Sequence, residues 1–179
     1  MKNFKVTAKE DGKEYWISRS VAVVGVVVGV ENGMIKKFLV SKRGPGCPDF
    51  IGSWSCTCGY LDFDETAEEG VKRELWEELG LDLKDYRAIL WEVVTDPKKD
   101  TRQNVILRYI IPIPMSTLNS LILDTISLDT ESRGGEKDEV SDVKLIDVTN
   151  LSDYPWAFSH DKVILRAYSD WKLFKIGKL

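Results

Sequence analysis

Within residues 59–81, GYLDFDETAEEGVKRELWEELGL, the stretch RELWEEL sets Glu74, Glu77 and Glu78 on little more than one helical turn. Three carboxylates this close form either a solvated acidic face or a cage for a cation. On a helical wheel of roughly 100° per residue, Ala67, Val71, Leu75 and Leu79 make one apolar stripe. Glu78 falls inside that stripe, Glu74 at its edge and Glu77 further round on the same side. An ionised carboxylate on a core-facing flank is costly unless it is paired or coordinates a metal. The three glutamates also sit toward the helix C-terminus, where the macrodipole disfavours negative charge, and Glu74 and Glu78 are a like-charged i, i+4 pair. Oxygen donors spaced in this way suit a hard divalent cation such as Mg²⁺ or Mn²⁺, which keeps waters that substrate phosphates can displace. These residues therefore point to metal-assisted phosphate chemistry.

The elements that must position them are readable in outline. Thr66 followed by Glu69 is a capping box, and Gly80 is a suitable residue to end a helix in the left-handed region, so a helix is predicted over 67–79. Upstream, VAVVGVVVGV (21–30) reads as a buried strand, Glu31-Asn32-Gly33 as a hairpin turn and MIKKFLVSKR as its partner. GPGCPDFIGSW is a surface loop leading to the acidic stretch. Downstream, AILWEVVTD, NVILRYIIPI and VSDVKLIDV read as three strands, separated by a turn at 97–102 and a long polar segment from Ser116 to Lys137. From Ser159 onward, Val163, Ile164, Ala167, Trp171 and Phe174 recur at helical spacing, with Ser159 as N-cap and His160 a structural first-turn residue. Strands flanking two helices in mixed order predict an α/β or α+β fold, with residues 1–179 as a single domain.

Composition narrows the partners. The formal net charge of −4, from 29 acidic against 25 basic residues, gives no global field for nucleic acid or an anionic membrane. The valine run is too short and too glycine-interrupted for a membrane span, and the N-terminus lacks an apolar signal core. Cys56 and Cys58 form C-x-C near Cys47, but with one histidine and no second cysteine pair they read as ordinary thiols of a reducing cytoplasm.

Gly59, Glu65 and Arg73-Glu74-Leu75-Trp76-Glu77-Glu78-Leu79-Gly80-Leu81 together resemble the Nudix box at every defined position. The resemblance implies an α/β/α sandwich around a mixed sheet and Mg²⁺-dependent hydrolysis, with Mn²⁺ as substitute, of a nucleoside diphosphate linked to another moiety. It makes Glu74, Glu77 and Glu78 metal ligands together with the backbone carbonyl of Cys58, and Arg73 a salt-bridge holder that also pairs with Glu65. One departure stands out: Thr57-Cys58-Gly59 occupies the place of the family's usual Pro-Gly-Gly, so a side chain stands where glycine is free to take positive φ.

The resemblance also implies a general base from a glutamate in a loop after the box, here ESRGGEKDEV, with Glu139 and Glu136 ranked ahead of Glu131; in some members of the family a box glutamate, here Glu77 or Glu78, takes that role. For the substrate, Arg43 and the adjacent Lys42 are candidates for phosphate, and Phe50 or Trp54 for stacking a base, each equally explained as a surface charge or a core aromatic. Pro97 downstream of the box is associated with the family's ADP-ribose pyrophosphatases, which favours ADP-ribose or a similar nucleotide sugar. The alternatives are (d)NTPs, dinucleoside polyphosphates, or a sensor that binds a nucleotide sugar without cleaving it, although sensors have an eroded box and an attached DNA-binding domain. The resemblance leaves the oligomeric state open and allows a homodimer, because several relatives build their substrate pocket across one.

Overall fold

The computed structural model describes residues 2–99, 102–125 and 127–174. Strands β1 (Phe4–Thr7) and β2 (Glu14–Ile17) form a separate antiparallel hairpin. Strands β3 (Val21–Glu31), β4 (Met34–Arg43), β5 (Trp54–Ser55), β6 (Thr57–Tyr60), β7 (Ile89–Val94), β8 (Val105–Pro114) and β9 (Val140–Ile146) make one sheet. Its path runs β5-β4-β3-β8-β7, with β6 also paired to β3 and β9 to β4. Among the described strand pairs only β3 and β8 run parallel, from Val21 opposite Val105 to Val30 opposite Pro114, so the sheet is mixed.

Helices α1 (Ala67–Leu79), α2 (Met115–Thr125) and α3 (His160–Phe174) cover its two faces. Val23 and Val27 of β3 pack with Val71, Leu75 and Leu79 of α1 and with Leu118 of α2. Val24, Val26 and Val28 pack on the other side with Val163, Ile164, Ala167 and Trp171 of α3. A strand buried on both faces has no polar alternation, which is why β3 reads as an unbroken valine run. The layers are the α/β/α sandwich around a mixed sheet that the resemblance implied. The Phe174 side chain lies outside the described residues.

The local signals fall where expected. Asn32 and Gly33 both take positive φ, 53° and 73°, the two-residue turn that matches strand twist. Thr66 and Glu69 make the reciprocal capping box, and Gly80 closes α1 at φ 72°. Elsewhere the structure corrects the reading. The polar segment after Ser116 begins as α2, whose Leu118 is buried on β3; serines, threonine and asparagine mask the Met115, Leu118, Leu121, Ile122 periodicity. A Cβ at Gly29 would overlap Met115 Sδ and crowd Leu118, so the α2 side chains pack closely over that glycine. The β1–β2 hairpin and short strands β5 and β6 are also additions, too brief for periodicity to reveal. Phe158 and Ser159 both take positive φ, so α3 starts from a tight left-handed turn whose Ser159 carbonyl accepts from Lys162 and Val163.

Candidate active site

Helix α1 brings its carboxylates against β6, and the wheel's ranking is reproduced by burial: Glu78 is 5% and Glu74 9% exposed, while Glu77 is half-buried. Glu78 Oε1 accepts the Cys58 amide at 3.2 Å. A Cβ at Gly59 would overlap the Glu74 carboxylate, so glycine at this place is required for that side chain to lie along the strand. Cys58 itself sits in β6 opposite Val24 and is not among the residues with positive φ; a side chain is accommodated there in ordinary strand backbone. Its thiol is free, as are those of Cys47 and Cys56. Burial, then the nearby Glu78 charge, raises the Cys58 pKa well above the usual thiol value, so the thiol is held neutral.

Arg73 is the hub of the acidic cluster. Its Nε and Nη2 grip Glu65 at 3.0 and 2.9 Å, Nη1 donates to Glu74 at 3.0 Å and Glu77 at 2.8 Å, and Nη2 also reaches the Tyr60 carbonyl at 3.0 Å. The paired guanidinium holds the Glu65 carboxyl below its ordinary range, and the same bond raises the Arg73 pKa. Glu74 and Glu78 respond in the opposite direction. Burial pushes Glu74 up to about 7 against the pull of Arg73. Glu78 goes well above the carboxylate range through burial and then the like charges of Glu139 and Glu74. Such a cluster of oxygen donors, short of positive charge at its buried end, fits a hard divalent cation. Among the described residues no three His, Cys, Asp or Glu side chains close a metal shell; Arg73 holds Glu74 and Glu77 instead.

The loop after α2 folds back over this end of the helix. Of its glutamates, Glu139 is the one whose charge reaches Glu74 and Glu78, and burial raises its own pKa. Its carboxylate accepts the Glu136 amide at 3.3 Å, whereas the Glu136 and Glu131 side chains are exposed. The backbone at Glu139 is pinned by Gly44, at 2.6 Å, and by the Cys47 thiol, at 3.2 Å. Cβ atoms at Gly44 or Gly46 would overlap backbone at 137–138, which explains the glycines of the GPGCP loop.

Arg43 donates to Asp49 at 3.0 Å and lies over the Phe158 ring, 5.0 Å from its centroid. Arg102 also pairs with Asp49 and faces the same ring. Phe50 stands edge-on to Phe158 with 48% of its surface open. For Trp54 burial favours the second of its two readings: at 4% exposure, edge-on to Tyr154 and with Lys144 over its ring, it is a core aromatic. His160 is structural, its Nδ1 accepting the Cys56 amide at 3.0 Å and its pKa held down to about 3 by burial and nearby Arg108 and Arg43. Sequence reasoning missed Asp49, Arg102, Phe158 and Arg133; the first three lie in loops and Arg133 in a 3₁₀ turn, and no local spacing marks them.

Fold and acidic helix together define a three-layer α/β/α protein with a buried carboxylate cluster at the end of one helix. The NUDIX domain profile matches residues 19–167. The chain is 31% identical over 171 residues to an ADP-ribose pyrophosphatase of Methanocaldococcus jannaschii, covering 94% of this chain and 85% of that one. Its fold is shared with the NUDIX domain of Shewanella oneidensis NrtR, solved with ADP ribose, at a TM-score of 0.63 and 21% identity, over 86% of this chain and 88% of that one. A mutT/nudix family protein from Listeria innocua gives 0.59 and 23% over 86% and 94%. The chain belongs to the Nudix family, and with its box complete it is a Nudix pyrophosphohydrolase.

Proposed function

We propose that the protein hydrolyses the pyrophosphate bond of ADP-ribose or a similar nucleotide sugar with Mg²⁺, Mn²⁺ substituting. The observation that carries this reading is the buried Glu78 carboxylate beside Glu74, with the Glu139 charge within reach, a gathering of acidic oxygens whose ionised form a cation would stabilise. The ADP-ribose pyrophosphatase relative, alike over nearly the whole chain, supports the substrate. Glu74, Glu77, Glu78 and the Cys58 carbonyl would hold the cation, which when bound neutralises pyrophosphate oxygens and acidifies a water. Arg73 keeps Glu74 and Glu77 oriented. Glu139, with its raised proton affinity, takes the proton from the attacking water, ahead of Glu136. Arg43 faces a phosphate and Phe50 offers the open aromatic surface.

A panel of ADP-ribose, NADH, dinucleoside polyphosphates, nucleotide sugars and nucleoside triphosphates with Mg²⁺ tests this. AMP from ADP-ribose, faster than products of the other compounds, is the expected result. Faster pyrophosphate release from (d)NTPs would overturn the substrate, and tight binding with no turnover of any compound would favour the sensor reading.

We propose that a homodimer, which the resemblance allows, forms through the N-terminal hairpin. Phe4, Val6, Tyr15 and Ile17 share one face of the β1–β2 hairpin and all are exposed, although two strands alone are marginal in water. A second copy of the chain is the proposed cover. Light scattering of Val6→Glu should then give the monomer mass where the parent gives the dimer; a monomeric parent would sink the idea. A small-molecule nucleoside diphosphate derivative remains the partner proposed for the site, with no nucleic acid. No helix among the described residues is long and apolar enough to cross a membrane, and the free thiols support a cytoplasmic location.

A further inference from the structure

Helix α1 ends in a way that its own sequence does not complete. The last carbonyls of a helix lack intrahelical partners, and a basic residue in the last turn commonly answers them. Helix α1 has none, and carries Glu74, Glu77 and Glu78 where the dipole is least tolerant. Gly80 and Leu81 serve the Leu75 and Trp76 carbonyls. The rest is supplied from a distance by Arg133, in the 3₁₀ turn at 131–133. Arg133 Nε donates to Trp76 at 2.8 Å and Glu77 at 3.2 Å, and Nη2 donates to Glu78 at 3.4 Å. Nη2 also donates to the Ser127 carbonyl at 2.8 Å, tying the start of the loop to the same point.

The chain beyond Arg133 transmits that anchor. Gly134 turns the backbone at φ 97°, and Cβ atoms at Gly134 and Gly135 would each stand 3.4 Å from the Glu77 side chain, so the loop backbone lies on it. Gly135 donates to the Thr130 carbonyl at 3.0 Å, the Thr130 hydroxyl donates to the Glu136 carbonyl, and the Glu136 amide holds the Glu139 carboxylate. The far end is fixed at Gly44 and Cys47. The loop is thus fastened at two places, and Arg133 is the fastening on the carboxylate-bearing helix.

We propose that Arg133 is a positioning residue for the reaction: seated on the carbonyls of Trp76, Glu77 and Glu78, it holds the Glu139 segment against the acidic end of α1. The proposal rests on the roles given above to Glu139 and the box glutamates. In metal-free protein, Arg133→Gln should speed amide exchange across 130–139 by about tenfold or more, with α3 and β3 unchanged. With ADP-ribose and Mg²⁺, kcat should fall by about 10- to 100-fold while KM moves little, the cost of a base displaced by about an ångström. Arg133→Lys keeps the charge without the fork and should recover only part of the rate. In a Glu139→Gln background, Arg133→Gln should add almost nothing, because both changes remove one contribution. Unchanged exchange, or losses that multiply in the double variant, would overturn the proposal. A parent inactive on ADP-ribose would overturn the substrate instead, and the exchange measurement would still decide on Arg133.

Discussion

Replacing Glu78 by Gln is expected to lower Mg²⁺-dependent hydrolysis by on the order of 10³-fold while the fold survives. Glutamine has the same shape and still offers an oxygen to the Cys58 amide, so the buried hydrogen bond is kept. What it lacks is the charge that a cation needs. Without metal that charge is a liability, buried at 5% exposure beside Glu74 and Glu139, so the metal-free variant should melt no lower than the parent at neutral pH. Rate assays and calorimetry on the same preparations separate the outcomes. Parental turnover would dismiss the metal assignment; a clearly lower melting temperature would mean that the carboxylate is needed to fold.

The second large effect is a coupling of stability to pH that metal should reverse. Glu74 titrates near 4.5 in the unfolded chain and at about 7 in the fold, raised by burial, and Glu78 shifts the same way. A raised carboxylate pKa contributes stability fully present below 4.5 and lost as pH rises through about 7, because the unfolded chain releases its proton first. For Glu74 alone the loss is roughly 3 kcal/mol. His160 works in the other direction: held down to about 3 against an ordinary 6.5, it makes the unfolded chain take up a proton first as pH falls. The metal-free protein should therefore lose stability most clearly as pH rises from about 6.5 through about 7, above the range in which His160 offsets the glutamates. Mg²⁺ should raise the melting temperature strongly at about pH 8 and little at about pH 5, since ligating carboxylates must be deprotonated. In Glu78→Gln both the slope and the Mg²⁺ response should shrink. A Mg²⁺ shift equal at both pH values would show that these carboxylates are not its ligands.

How far the amino-acid order reaches depends on the range of the interactions. The bounds of α1 come from Thr66, Glu69 and Gly80, because caps act between residues a few positions apart. The wheel placed Glu78 inward, Glu74 next and Glu77 outermost, and burial keeps that order. Helix α2 was hidden because its stripe is short and its polar residues are weak helix formers; packing on Gly29 stabilises it. Trp54 shows the opposite failure, an aromatic whose spacing does not say whether a ring faces a ligand or the core.

The local chain determined the carboxylate helix, its caps, the valine strand and the hairpin turn, each set by periodicity or by residues within one turn of one another. Only the tertiary structure decided which loop glutamate has its charge within reach of Glu74 and Glu78, that Asp49 gathers Arg43 and Arg102, and that Arg133 completes a helix more than fifty positions away. Those contacts arise when the sheet closes and the loops are pinned to each other's backbone, and no spacing along the chain encodes the distance between two loops.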